Sequence, residues 1–322
     1  MNSILSGRRP VIASHLTELQ AERLRQHASQ PVVIEYTKTQ EPWDVPPEAD
    51  FLFTFMRGWA RAPRDAPPHG WPYNLRWIQV GAAGLDAFPR WFFHDLPISS
   101  GRGIQSTGIA EYVLAAILLH EKRLDRTVAR SPADWREYPL GGLAGKTVGL
   151  LGFGAIGSAV AQRALAFGTR VLVYRRSADA PGIPGVERAA TLEQLAAESD
   201  HLVIASALTP ETRNIVGSRF LSHGKPGQHL INVSRGAHID QEALVTALDA
   251  GILAAATLDV TDPEPLPEGH PIYTHPKIRL TPHTSGQTER FDDLLTAKLF
   301  ANLDRFLAGR PLIDQVDPER GY

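Results

Sequence analysis

The chain contains no cysteine among its 322 residues. That absence excludes disulfide staples, thiolate-held metals and a cysteine nucleophile together. A long apolar run is missing as well. The longest, residues 113–119, is far short of the roughly 20 residues a bilayer-spanning helix needs. Arg8 and Arg9 near the start are not followed by the apolar segment of an export signal. Charge of one sign is not in excess either. Lys plus Arg number 33 and Asp plus Glu 35, a formal charge of −2, so no global field favours nucleic acid or an anionic membrane as partner. No two histidines stand at metal-ligand spacing on one helix, and no metal is expected. What remains is ordinary globular composition, 43% hydrophobic and 21% charged, able to bury a large core. The expectation is a soluble, cytoplasmic protein of about two domains at the usual ~150 residues each.

The first hundred residues hold short apolar stretches at 32–34, 51–53 and 77–80 that read as buried strands. Prolines at 42, 46, 47, 63, 67 and 68 mark the loops between them. Leu16, Leu19 and Leu24 have helical spacing, which predicts a helix over 15–26. From residue 106 to 126 the pattern becomes one long helix, apolar around much of its circumference. It is either a core helix or part of a homodimer interface. Beyond it, strand and helix alternate. Strands are expected at 147–151, 170–174, 202–205, 230–233, 255–259 and 278–280, and helices at 156–167, 192–198, 241–250 and 288–307. Thr191 with Gln194 suggests a capping box, and Asp240 an N-cap. Such alternation predicts a parallel sheet covered on both faces, an α/β doubly wound architecture.

Gly152-Phe153-Gly154-Ala155-Ile156-Gly157 follows the strand at 147–151 and opens a helix. A bare GxGxxG is weak, but this placement makes it specific. Gly152 permits the tight turn, Gly154 lets a pyrophosphate approach the backbone, and Gly157 lets the helix pack closely on the strand. The helix N-terminus at Ala155 and Ile156 then offers N–H groups to phosphate. The next strand ends in Arg175-Arg176-Ser177, with no carboxylate where NAD-specific sites carry one for the ribose 2′-hydroxyl. Two guanidinium groups and a hydroxyl suit a 2′-phosphate instead. NADP(H) is therefore the expected cofactor, with NAD(H) as second choice.

Three more segments carry ionisable residues just after strands: 232–236 with Ser234 and Arg235, 258–266 with Asp259 and Glu264, and 281–286 with His283. Ligands bind at the carboxyl edge of such a sheet. With Gly81-Ala82-Ala83-Gly84-Leu85-Asp86, Ile109-Ala110-Glu111, the 143–149 stretch Leu-Ala-Gly-Lys-Thr-Val-Gly, the glycine loop and Leu208-Thr209-Pro210-Glu211-Thr212, the chain resembles the D-isomer-specific 2-hydroxyacid dehydrogenases. These include glyoxylate/hydroxypyruvate reductases. The resemblance runs from about residue 81 to 283.

That resemblance implies a Rossmann-type dinucleotide-binding domain at 101–287, inserted in a smaller flavodoxin-like substrate domain made of 1–100 and 288–322. It implies Arg235, Glu264 and His283 as the catalytic set and Asp259 near the nicotinamide carboxamide. The backbone of Ala83 and Gly84 would hold the substrate carboxylate, and Ser206 and Ser234 join the cofactor contacts. These residue types suit reduction of a small 2-oxo acid. Arginine grips a carboxylate, and a histidine braced by a carboxylate delivers a proton near neutral pH. Arg57, after the strand at 51–53, is a candidate for a second anionic group on the substrate; a solvated arginine is the plainer alternative. Trp135 lines a pocket, of this chain or a partner, or simply packs. The chain departs from the family pattern in two places: Ser206-Ala207 stands where a proline is usual, and Arg175 where an acid is. A cofactor-sensing corepressor of the same fold is the alternative function, disfavoured by the lack of a long charged tail.

Overall fold

The computed structural model describes residue 5 and residues 7–36, 41–176 and 181–321. The chain forms two compact units, Met1–Ile104 with Thr288–Tyr322, and Gln105–Gln287. No helix of the described residues is long and apolar enough to cross a membrane.

The first unit opens with β1 (Val11–His15), α1 (Glu18–Arg25), β2 (Val32–Glu35), β3 (Phe51–Thr54), β4 (Trp77–Val80) and β5 (Ile98–Ser99). Its five strands lie in the order β2-β1-β3-β4-β5, all parallel, which is the flavodoxin-like order. β3 and β4 are buried throughout, because apolar layers cover both faces. One layer is aromatic, built around Trp59, Phe88, Trp91 and Phe92. Residues 15–26 are not one helix, contrary to their leucine spacing. His15 ends β1, and Thr17 caps α1: its side chain accepts from the Gln20 N–H while its own N–H donates to the Gln20 side chain. That reciprocal cap sets where the helix starts. Nor is β2 buried, since it lies at the sheet edge with Val32 exposed.

The second unit begins with α2 (Ser106–Lys122), which stops short of residue 126 because Arg123 turns left-handed at φ 47°. There follow β6 (Thr147–Leu151), α3 (Ala155–Ala166), β7 (Arg170–Tyr174), β8 (Val186–Arg188), α4 (Leu192–Glu198) and β9 (His201–Ile204). α5 (Ser218–Leu221), β10 (Gln228–Asn232), α6 (Gln241–Asp249), β11 (Leu253–Leu258) and β12 (Ile278–Leu280) complete it. Asp240 caps α6 as expected, while Gln194 turns to the Ala190 N–H, so Thr191 caps α4 alone. The seven strands are all parallel in the order β12-β11-β10-β9-β6-β7-β8. The chain thus winds outward from β6 to β8, then returns to β9 on the other side of β6. This is the doubly wound order, and its reversal between β6 and β9 is where ligands bind. From there the chain re-enters the first unit as α7 (Phe291–Leu307). Leu295, Leu299 and Leu303 of α7 join Leu24, Phe51, Phe53 and Trp77 in that unit's second core.

Candidate active site

β6 runs into Gly152 at φ 99°, where a Cβ would lie 2.6 Å from Ser206 Cα and 2.7 Å from the Ala205 oxygen. Both the left-handed backbone and the close approach demand glycine. A Cβ on Gly157 would lie 2.6 Å from the Gly152 oxygen, so the helix packs tightly on its own loop. Gly154 is the opposite case. It is the N-cap of α3, no side chain caps it, and nothing lies within 4 Å of an added Cβ. The open space above it and the uncapped N–H groups at Ala155 and Ile156 make a cradle that fits a pyrophosphate. Ser206 and Ser234 are tied together beside it. The Ser234 hydroxyl donates to the Ser206 carbonyl, and Ser206 Oγ lies 3.1 Å from Nε2 of the buried His238.

Beyond β7, Arg175 is half-buried and Arg176 exposed, and Ser177 lies outside the described residues. The Glu211 carboxyl is held below its usual range, first by the Thr209 hydroxyl and in smaller part by the Arg176 charge. Arg176 therefore shares its space with the segment around Glu211.

The ends of β10, β11 and β12 are neighbours in the sheet. Arg235 lies just past β10, half-buried, with Nη1 donating to the Ser234 oxygen at 2.9 Å. Its own carbonyl accepts from Asn232 Nδ2 at 2.8 Å. A Cβ on the next residue, Gly236, would sit 1.9 Å from the Thr261 carbonyl carbon. Only glycine lets the Arg235 segment lie against the one that runs from Asp259 to Glu264. Glu264 and His283 meet directly, Oε1 to Nδ1 at 2.7 Å, with side chains 42% and 43% exposed.

His283 has φ 50°, uncommon for a residue with a side chain. Buried Asp259 holds it there. Its backbone carbonyl accepts from the His283 N–H at 2.8 Å. One carboxylate oxygen accepts from the Thr281 hydroxyl at 2.6 Å and the Thr284 N–H at 2.9 Å, and the other from the Ser285 N–H at 2.9 Å. Because the Thr281 proton goes to Asp259, the Tyr112 hydroxyl, 2.6 Å from Thr281 Oγ1, must be the donor in that pair. Burial pushes the Tyr112 phenol up, which keeps that proton in place. Tyr112, Thr281 and His238 carried no sequence signal of their own. Tyr112 directly follows the Ile-Ala-Glu stretch, which was its only marker.

In the first unit, Ala83 and Gly84 follow β4, and exposed Arg57 follows β3. His15, hidden by the helix expected over 15–26, ends β1 with Nδ1 3.3 Å from Thr54 Oγ1. Burial lowers its basicity, and the Arg57 charge adds to the effect.

Residues 114–285 match the family model described as D-isomer specific 2-hydroxyacid dehydrogenase, NAD binding domain. The chain is 34% identical over 274 residues to glyoxylate/hydroxypyruvate reductase A of Serratia proteamaculans, covering 80% of this chain and 85% of that protein. Among solved structures, a D-isomer specific 2-hydroxyacid dehydrogenase from Xanthobacter autotrophicus in complex with NADPH and MES superposes with a TM-score of 0.80 at 27% identity, over 98% of this chain and all of that one. An NADPH-dependent glyoxylate/hydroxypyruvate reductase from Sinorhizobium meliloti, in complex with NADP and sulfate, gives 0.77 at 25% identity, over 98% of this chain and 100% of that one. With the two sheet orders and the glycine loop, these matches establish that the chain belongs to the D-isomer specific 2-hydroxyacid dehydrogenases, a family of nicotinamide-dependent oxidoreductases.

Proposed function

We propose that the chain reduces small 2-oxo acids such as glyoxylate or hydroxypyruvate to 2-hydroxy acids, with NADPH preferred over NADH. The observation that carries this reading is the 2.7 Å contact between His283 and Glu264, on a loop fixed by buried Asp259. A 2-oxo acid presents a carboxylate beside a carbonyl. Arg235 holds the carboxylate and polarises the carbonyl, and the amides of Ala83 and Gly84 are assigned to the same carboxylate. When bound, the dihydronicotinamide supplies a hydride to the carbonyl carbon. His283 gives a proton from Nε2 to the oxygen as negative charge develops there. Glu264, at Nδ1, fixes the orientation of the ring. In the oxidative direction His283 takes that proton back.

Gly152, Gly154, Ala155, Ile156 and Gly157 are the residues to hold the pyrophosphate, with Ser206, Ser234 and Asp259 toward the nicotinamide. Arg175, Arg176 and Ser177 take the 2′-phosphate. The Xanthobacter and Sinorhizobium structures, which hold NADPH and NADP, support that preference. The first unit is read as the substrate domain, the second as the dinucleotide domain, and Arg57 as a further substrate contact. A cytoplasmic homodimer is the proposed form, supported by Val128 and Trp135, which are 58% and 86% exposed in a segment of little regular structure.

Initial rates over a panel of 2-oxo acids, with NADPH and NADH in parallel, test the reading. Turnover of glyoxylate or hydroxypyruvate, faster with NADPH, is expected, and Arg175→Asp should move the preference toward NADH. Purified protein that binds NADPH yet reduces no member of the panel would overturn it.

A further inference from the structure

The second unit has another cavity, of about 590 Å³, at the opposite edge of its sheet. It lies where β10, β11 and β12 begin and where α2 ends. That volume is in the range of small-molecule sites. Its lining brings five cationic side chains against two carboxylates. Both carboxylates are already paired, Glu121 with Lys146, and Asp125 with Arg279 at 3.0 Å. Lys277 is turned to the Leu248 carbonyl. Arg123 and Arg126 make no ion pair among the described residues.

His229 forms part of the cavity wall and is 1% exposed. Its Nε2 lies 2.9 Å from Thr257 Oγ1, whereas Nδ1 is buried and has no hydrogen-bond partner among the described residues. His120 stacks on His229, ring centroids 4.5 Å apart and planes 14° from parallel. No group of side chains among the described residues is arranged to hold a metal ion.

We propose that this amino-edge cavity binds a small phosphate-bearing anion, gripped by Arg123 and Arg126. Guanidinium forks match phosphate oxygens. With Lys146 and Arg279 neutralised by the two carboxylates, Arg123, Arg126 and Lys277 leave the lining net positive. The site shares no residue with the glycine loop or with the Arg235, Glu264 and His283 set.

The test is calorimetric titration of inorganic pyrophosphate into the full chain saturated with NADPH, at fixed ionic strength. Saturable binding is expected, weakened at least tenfold in the double variant Arg123→Glu with Arg126→Glu. Both positions are exposed and outside the catalytic set, so the variant should retain its fold and its turnover. Absence of saturable binding to the unmodified chain overturns the proposal. So does binding of undiminished affinity in the folded double variant, which would place the anion elsewhere.

Discussion

His283 at the carboxyl edge of the seven-stranded sheet and the three histidines at its amino edge lie in opposite environments. At the carboxyl edge, His283 is 43% exposed and held at Nδ1 by Glu264. At the amino edge, His201 and His229 are each 1% exposed and stand against His120. Glu121 lies 3.2 Å from His201 Nε2, and the Asp200 charge acts on His201 more weakly. Glu121 and His201 are close but not aligned for a hydrogen bond, and Glu121 is already bound to Lys146. An imidazole can work as an acid where solvent and an available carboxylate support its charged form, and it is a neutral packing ring where neither does. Burial accordingly pushes His201 down to about 4 and depresses His120 and His229 as well.

Substituting the two kinds of histidine sharpens the contrast. His283→Ala should cut turnover by about 10²–10⁴-fold, the usual weight of acid–base catalysis, with NADPH affinity kept. His201→Gln should leave turnover at pH 7.5 nearly unchanged. An equal loss from both would erase the distinction between the edges.

The second effect is on stability and depends on pH. Between pH 6.5 and about 4 the unfolded chain protonates His201 while the folded chain does not. The unfolded state then binds more protons, so stability falls as pH drops through that window. The gap corresponds to about 3 kcal/mol for this one group. Above pH 6.5 both states are neutral and the contribution vanishes. Urea midpoints across pH 4–7 should show a shallower fall for His201→Gln than for the unmodified chain. Parallel curves would mean that His201 is not held neutral in the fold.

Gly236→Ala tests the carboxyl edge through its backbone. The added Cβ meets the Thr261 backbone, which cannot swing aside as a side chain would. The Arg235 and Glu264 segments must separate, and displacement of about 1 Å between reacting groups costs about 10²-fold in rate. Overpacking of this kind also destabilises by about 1–3 kcal/mol. kcat/KM and the urea midpoint of the same preparation measure both, and an active, equally stable variant would contradict the tight approach.

How much of this was legible in the sequence differs between the edges for a physical reason. The glycine loop, Arg235, Glu264 and His283 lie in contiguous motifs, because each leaves the end of one strand. Sheet adjacency then brings them together, and doubly wound order is implied by strand–helix alternation. His120, His201 and His229 come from one helix and two strands distant in sequence. Nothing local marks them, and a lone histidine in an apolar strand reads as core. His15 was missed for another reason. Leucine spacing of helical period masked a strand that ends there, and the cap at Thr17 outweighed that spacing. β2 reads as buried in sequence because its valines look like core, while its place at the sheet edge depends on strand order, which local pattern does not encode.

The smallest expected effect belongs to Tyr112, which reaches the His283 loop through Thr281 and Asp259. Tyr112→Phe keeps the ring and its packing and removes one hydroxyl donor. The Thr281 oxygen then lacks its donor while still giving its own proton to Asp259. A hydrogen bond of this kind is worth about 1 kcal/mol net, which is roughly a fivefold change in rate if the lost order falls on His283. Among the described residues Tyr112 makes no hydrogen bond to the glycine loop or to Arg235, so KM for NADPH should hold while kcat drops. A purely space-filling tyrosine predicts that Tyr112→Phe moves neither constant. The split between kcat and KM therefore decides whether the carboxyl edge is held from α2 or only by its own loop.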